Sequence, residues 1–307
     1  MNSPASSFTA KQLRATITLA TPNAMFPGTN SNTLVLTGLR MMAIITAVAR
    51  SAVTADIKIF GMLQADMNAL TVIWFNPPVV QNNTILLEAN VGNGWVQVFS
   101  GTLFEAQADY TAQPNVFFRF QANQSFATQI TAVPPASYTG AASVATIVQA
   151  LATQMGLAFE NNGVTATLHN PYFPGTAFDQ LQRVCWASDT DFYIVGAPAG
   201  SSAQGTLAIC PSGLGRNSVA ATVLSPTSGL VGYPAIGYSG LTVQCLYNPN
   251  IIGGGQIQIQ GSQIPAANGL WNPLSFTHTL DAVNPGGAWM TTLTCIKYGT
   301  PLPDLTQ

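Results

Sequence analysis

TLHNPYFPGTAFDQLQRVCWASDTDFYIVG, residues Thr167–Gly196, decides how the central part of this chain folds. The stretch 170–175 contains two prolines, which exclude regular structure and predict a turn. Thr176 and Asp179 then form the Thr-x-x-Asp pattern of a helix capping box. The pattern predicts a helix at about 176–187, followed by a strand in DFYIVG.

The residues around this stretch predict a small α/β module. Apolar residues recur at helical spacing in SVATIVQALATQMG and predict a helix at about 143–156, with Ser143 as its N-cap and Gly156 at its end. Short strands are expected at 157–160 and 164–169 and should form a hairpin. The strand DFYIVG should pair with TLAIC across a loop rich in Gly and Ser, so residues 131–215 form the module.

Both flanking regions have the character of β structure. Short segments rich in Thr, Val, Ile and Phe alternate with Gly, Pro and Asn turns, which is typical of sandwiches and barrels. The expected strands are 12–20, 32–39, 55–63, 70–74, 83–89, 94–99, 103–110, 116–122, 240–249, 256–260, 274–280 and 289–298. We therefore predict a mainly β fold, with two antiparallel β-barrels at 1–130 and 216–307 flanking the α/β module.

Charge is scarce along the whole chain. Asp, Glu, Lys and Arg make up 7% of the residues, where about 25% is usual. The nine Lys and Arg are scattered singly, which argues against binding to nucleic acid phosphates. Because the centres of obligate interfaces lose charge, we expect other protein subunits to cover much of the surface. The alternative is a monomer solvated by neutral amides and hydroxyls.

The cysteines and the apolar segments exclude other classes. Four cysteines at 185, 210, 245 and 295 lack zinc or redox spacing and are expected to be buried free thiols. The most apolar early stretch, 41–49, is far shorter than the roughly 20 residues of a membrane helix. The N-terminus lacks the pattern of a signal peptide, so we expect no membrane span and assembly in the cytoplasm.

The two histidines are the first candidates for catalysis. A general base needs a carboxylate that orients one ring nitrogen. Near His169, Asp179 is better used as a helix cap, while Asp189 and Asp191 suit turns. A serine triad around His278 and Asp281 stays open, although the chain contains no G-x-S-x-G elbow.

Other motifs also favour a structural interpretation. The glycine runs at 213–215 and 253–255 do not lie between a strand and a helix, so they do not predict a phosphate site. Glu88, Glu105 and Glu160 lie far apart in sequence; distant carboxylates can form a glycosidase pair, but no feature of the sequence indicates one. We therefore predict no catalytic, cofactor-binding or metal-binding residues, and no cofactor.

Six quoted segments, taken in order, resemble the baseplate hub proteins of contractile-tailed bacteriophages. NTLVLTGLRMMAIIT, DIKIFGMLQADMNALT and LLEANVGNGWVQVFSGTLFEAQADY resemble their first barrel. SVATIVQALATQMGLAFENNGVTATLHNPYFPGTAFDQLQRVC resembles their α/β module. SPTSGLVGYPAIGYSGLTVQCLYNPNIIGGGQIQIQGS and NGLWNPLSFTHTLDAVNPGGAWMTTLTC resemble their closing barrel, and their combination of GYP, LYNP and GGAW is the most specific part.

The resemblance implies a structural role in the tail of a virion. Such hubs form homotrimers that adapt the sixfold tail tube to the threefold central spike, with two barrels per chain. It implies as partners a tail tube or adaptor ring protein, a central spike protein, and possible baseplate wedge and tape-measure proteins, with DNA only in transit through the lumen. The family transfers no catalytic residue, so His278 and Trp289 become elements of the closing barrel. The alternatives are a tail-tip peptidoglycan hydrolase and a distal-tail or receptor-binding protein.

Overall fold

The structure, a computed structural model, describes residues 11–21, 24–71, 82–92, 94–111, 113–196, 205–237 and 240–300. The N-terminal strands and helices are β1 (Leu13–Thr18), β2 (Thr33–Thr37), β3 (Met41–Val48), β4 (Thr54–Phe60), α1 (Gln64–Leu70), β5 (Thr84–Asn90), β6 (Trp95–Asp109), β7 (Phe117–Asn123) and α2 (Phe126–Ile130). The central ones are β8 (Ala136–Ser137), β9 (Ala141–Ser143), α3 (Val144–Gln154), β10 (Ala158–Asn161), β11 (Thr167–His169), β12 (Tyr172–Phe173), α4 (Ala177–Ala187), β13 (Thr190–Gly196) and β14 (Gly205–Pro211). The C-terminal ones are β15 (Thr222–Leu224), β16 (Leu230–Gly237), β17 (Gly240–Leu246), β18 (Ile257–Ile259), β19 (Gly269–Ala282) and β20 (Trp289–Lys297), with a 3₁₀ turn at Pro265–Ala267.

The predicted fold class, mainly β with antiparallel sheets, is confirmed. Within the described ranges, only β10–β14 and β15–β18 pair in parallel. The longest described helices have 11 residues, and none of those described has the length and apolar character to span a membrane.

One large sheet joins the two ends of the chain. Its main strand order is β16-β17-β20-β19-β3-β4-β7-β6-β5-β1-β2, with β15 and β18 attached beside β19. The join is the antiparallel pairing of Met41–Val48 with Ser275–Ala282. Over the described residues this order closes no barrel, so the N-terminal and C-terminal strands form one continuous sheet. The division into 1–130, 131–215 and 216–307 stays a prediction.

Three apolar clusters fill the interior. The first lies under the N-terminal strands, the second between the helices and strands of the central region, and the third under the C-terminal strands. They interlock, because Leu280 of β19 belongs to the first cluster and Ala47 of β3 to the third. The alternation of β3, with Met41, Ala43 and Ile45 buried and their neighbours more exposed, allows it to face a core on one side.

The central region largely follows its sequence signals. Both bonds of the α4 capping box are present, with the Asp179 N–H donating to Thr176 Oγ1 at 3.1 Å and the Thr176 N–H donating to Asp179 Oδ2 at 3.2 Å. The pairing of β13 with β14 is confirmed. Ser143 occupies the N-cap position of α3 but makes no side-chain capping bond.

Several local predictions were wrong or incomplete. The strand β3 was missed, because MMAIITAV is apolar at almost every position and so lacks a visible alternation. Residues 64–70 form α1, and the two strands expected at 94–110 are the single strand β6. β10 pairs with β14 and β11 with β9, so 157–160 and 164–169 do not form a hairpin. Most of the strand expected at 70–74 lies outside the described residues.

Two neighbouring residues of β3 test which face of this strand lies against the core. Ile45 is 1% exposed and Ile44 is 46% exposed. Ile45→Ala should lower the free energy of unfolding by about 2–5 kcal/mol, because it leaves a cavity in the first cluster. Ile44→Ala should cost less than about 1 kcal/mol. Urea unfolding of the two variants compares them, and equal losses, or a larger loss for Ile44→Ala, would contradict this orientation of β3.

Candidate functional site

Two aspartates of the stretch 167–196 meet Arg50 at a junction between the large sheet and the central region. Arg50, in the turn between β3 and β4, donates from Nε to Asp191 Oδ1 at 2.7 Å and from Nη2 to Asp189 Oδ1 at 3.0 Å. The second oxygen of Asp191 accepts from the Gly213 N–H at 2.9 Å. Arg50 and Asp189 both have left-handed backbone, φ 60° and 46°, which is uncommon outside glycine. Both turns therefore place their side chains in one cluster.

Burial governs the electrostatics of this cluster. The Asp191 side chain is fully buried, whereas Asp189 is 67% exposed. Burial raises the pKa of the Asp191 carboxyl, and the Gly213 N–H and the Arg50 guanidinium oppose that shift. A buried pair of this kind holds its two elements in one geometry, because a charge without its partner would be strongly disfavoured there.

A second ion pair joins the central region to the C-terminal segment. Arg216 donates from Nη2 to Glu160 Oε2 at 2.6 Å and from Nε to Oε1 at 3.2 Å, and Ser218 donates to Oε1 at 2.7 Å. The backbone N–H of Arg216 donates to the carbonyl of Gly254 at 2.8 Å. The hydrogen bonds from Arg216 are the main reason that the pKa of Glu160 is lowered from 4.5 to about 2.

The large sheet also covers the open edge of β13. The Arg50 N–H donates to the carbonyl of Phe192 at 3.2 Å. With the Gln124 amide in the orientation that satisfies both of its atoms, its nitrogen donates to the Ile194 carbonyl at 3.0 Å and its oxygen accepts from the Gly196 N–H at 2.8 Å. This side chain thus replaces a neighbouring strand, and the β13 edge is satisfied.

The surroundings of His278 do not form a triad. His278 is 4% exposed, and its Nδ1 lies 2.8 Å from Thr291 Oγ1. Burial lowers the pKa of His278 to about 4, although a backbone hydrogen bond with Ile251 opposes this, so the ring is neutral at pH 7. Side chains alternate along β19, so Asp281 points to the opposite face, where it accepts a hydrogen bond from Asn284.

The remaining candidates are dispersed. His169 is exposed on β11, opposite Ala141, and Asp179 caps α4 as predicted. Among the residues that the structure describes, no three His, Cys, Asp or Glu side chains are placed to share a metal ion.

The prediction of buried free thiols is confirmed. All four cysteines are free and buried. Burial raises the pKa of Cys245 to about 11 and that of Cys210 and Cys295 to about 12. These thiols are therefore protonated and poorly nucleophilic at neutral pH.

A cleft of about 430 Å³ lies where β5, β6, β13 and β19 approach one another. Apolar side chains dominate its lining, which includes the aromatic residues Trp95, Tyr247 and Phe276. Glu88 and His278 also line it, and both are already engaged, since Arg14 donates to both carboxylate oxygens of Glu88 at 2.7 and 2.8 Å. The ion pairs of Arg50 and Arg216, described above, are suited to holding parts of the chain together rather than to proton transfer.

Sequence reasoning missed the two arginines that organise the junction. Arg50 and Arg216 are isolated cations between apolar or glycine-rich segments, and their partners Asp191 and Glu160 are far away in the chain. The only available signal was their isolation, because in a chain with so few charges each buried cation requires a partner.

The similarities to known proteins extend over most of the chain. A protein-family model described as baseplate hub gp41 matches residues 13–281. No curated protein matches the chain. The fold is similar to the tail protein from Neisseria meningitidis MC58, with a TM-score of 0.60, 10% identity, and coverage of 95% of this chain and 98% of that one.

Two further solved structures share the fold. The Escherichia coli c3393 protein is described as a component of the type VI secretion system with structural similarity to the T4 tail proteins gp27 and gp5. Its TM-score is 0.60 at 12% identity, covering 86% of this chain and 76% of that one. The 43 kDa tail protein of prophage MuSo2 from Shewanella oneidensis has a TM-score of 0.56 at 10% identity, covering 94% and 98%.

The two carboxylates around Arg50 should contribute unequally to stability. Asp191→Asn should lower the free energy of unfolding by about 3 kcal/mol, because it removes the charge buried against Arg50. Asp189→Asn, the matched control, should cost no more than about 1 kcal/mol, because this pair is exposed. Urea unfolding measures both, and a small loss for Asp191→Asn would refute the anchoring role of the buried pair.

The second ion pair predicts a dependence on pH. The folded protein lowers the pKa of Glu160 from 4.5 to about 2, so its stabilisation is complete above pH 4.5 and is lost as the pH falls toward 2. The corresponding upper limit is about 3 kcal/mol. Glu160→Gln should therefore differ most from the wild type near pH 6, and the difference should shrink below pH 4.5.

Unfolding by urea at several pH values tests this. Ser218→Ala removes one hydrogen bond but keeps the ion pair with Arg216, so it should retain most of the wild-type pH dependence. A difference between the wild type and Glu160→Gln that does not vary from pH 6 to pH 2 would contradict the assignment.

Proposed function

The chain belongs to the baseplate hub gp41 family, and from this membership we propose that it forms a homotrimer that adapts the sixfold tail tube to the threefold central spike of a phage. The observation that carries the proposal is the match of the family model over residues 13–281. The proposed location is the tail baseplate of the virion, after assembly in the host cytoplasm.

The internal connections support a mechanical role. β3 and β19 join the two β regions in one sheet, and the Arg50 and Arg216 ion pairs attach the central region to both of them. An adaptor between a tube and a spike must keep its two ends in a set orientation under load. Charge-assisted hydrogen bonds suit that task, because they define direction as well as distance, and Arg216 donates to both carboxylate oxygens of Glu160.

The composition supports contact with several partners. The proposed partners are two further copies of the chain, a tail tube or adaptor ring protein and a central spike protein, with baseplate wedge and tape-measure proteins as further neighbours. Interfaces between such subunits can be held by burial of apolar area, which contributes a free energy of about 25 cal/mol per Å². They do not need many ion pairs. DNA would pass through the lumen, and a wall with few cations would not retain its phosphates.

We propose no catalytic residue in this chain and no bound cofactor. The buried, neutral His278 with Thr291 as its partner is consistent with a role in packing. Any wall-degrading activity would then belong to a partner protein.

Sedimentation of the purified chain, alone and with the spike protein of the same phage, tests the proposal. The expected species has three copies, about 97 kDa from chains of 32.2 kDa, free or attached to the spike. A folded monomer under both conditions would overturn the proposal. Hydrolysis of purified peptidoglycan that is abolished by His278→Ala would instead support the enzymatic alternative.

A further inference from the structure

Tracts without Asp, Glu, Lys or Arg occur at several places in the sequence, including residues 120–159. Two such tracts, residues 15–39 and residues 217–280, lead to the ends of the large sheet. The first supplies β2 and most of β1, and the second supplies β16, β17, β18 and most of β19. These strands include both ends of the main path of the large sheet. The strands at the two ends of the sheet, β2 and β16, therefore carry no charged side chain.

The middle of the sheet has the opposite character. Asp56, Lys58, Glu105, Asp109 and Arg119 lie on the neighbouring strands β4, β6 and β7. Arg119 donates to both oxygens of Asp56, at 3.0 and 2.6 Å. Charged side chains on these middle strands keep their hydration at little cost in free energy. Charge therefore lies where the surface is expected to stay in contact with water. The uncharged ends can lose water without desolvating an ion.

Both ends also expose backbone and apolar side chains. Within the described part of the chain, β2 pairs only with β1, and β16 only with β17. Val35 on β2 is 54% exposed, and Ile236 and Tyr233 on β16 are 53% and 64% exposed. Natural sheet edges usually carry charges that block pairing with another chain, and these two edges lack them.

The edge of β16 is open along only part of its length. Its register with β17 breaks between Val231 and Ala235, and Pro234 lies within the break. Proline cannot donate to a neighbouring strand, so this half is protected. Ala235–Gly237 remain in regular register with β17. A strand added to this end would therefore pair beside Ile236.

We infer that β2 of one copy lies against the Ala235–Gly237 end of β16 in the next copy. This inference rests on the proposed homotrimer and names the surfaces that join it. The two edges differ and lie at opposite ends of one sheet, so the contact is head-to-tail, and a closed ring leaves neither edge free. A second copy is the occupant because the two edges match each other in lack of charge and in open backbone groups.

Cysteine cross-linking tests the contact. The four native thiols are buried, so thiols introduced at exposed positions will react selectively. A chain with both Val35→Cys and Ile236→Cys should give a covalent trimer on a denaturing gel after mild oxidation or treatment with a short bifunctional reagent. Each single variant should remain uncross-linked, and the control pair Val35→Cys with Ile44→Cys should do the same.

The outcomes separate this inference from the proposed function. A trimer by sedimentation without a cross-link between positions 35 and 236 overturns the contact and leaves the homotrimer intact. Covalent dimers from Ile236→Cys alone would also overturn it, because they would show β16 facing β16. A monomer both alone and with the spike would overturn both proposals.

Amide hydrogen exchange on the unaltered protein gives a second measurement that does not depend on the variants. Assembly should slow exchange in β2 and at residues 235–237 by at least tenfold, while the turn at Arg50–Ser51, which lies outside the proposed contact, keeps its rate. Unchanged exchange in both edge segments of the assembled trimer would overturn the contact.

Discussion

The pairing of β3 with β19 is the constraint on which the rest of the molecule depends. Met41–Val48 and Ser275–Ala282 come from opposite ends of the chain, yet they lie side by side in the middle of one sheet. Because β3 also pairs with β4, separating it from β19 would expose two strand edges and open two apolar clusters together. Before β3 and β19 can pair, the chain between them must close a very long loop. This favours late, cooperative formation of the sheet.

Two of the ion pairs lie where they define the orientation of the central region. Asp191 and Glu160 lie in the central region, and their arginine partners come from the segments on either side. Apolar contacts tolerate small slides between packed elements, whereas a guanidinium held by two hydrogen bonds does not. Arg50 divides its bonds between Asp191 and Asp189, and Arg216 directs both of its bonds to Glu160. A buried pair adds little net stability, so its value here lies in the angle at which the central region is held.

Scarcity of charge has a spatial pattern that composition alone conceals. Ionised side chains cluster on β4, β6 and β7, and the tracts that supply the sheet ends have none. In the proposed homotrimer, this pattern would separate surfaces that remain in water from surfaces that meet another subunit. The proposed assembly would then cover the least hydrated parts of a protein with 7% charged residues.

The sequence by itself determined the elements whose signals are local. Thr176 and Asp179 predicted α4 and its cap, helical spacing predicted α3, and the alternating strands near the C-terminus predicted most of the closing β region. The apolar run of β3 carried no such alternation, and the partners Arg50–Asp191 and Glu160–Arg216 lie too far apart in the chain to leave a spacing signal. Helix capping and side-chain periodicity depend on residues only a few positions apart, so both can be recognised in the sequence. Which strand lies beside β19, and which carboxylate meets Arg50, depended on contacts that exist only once the chain has folded.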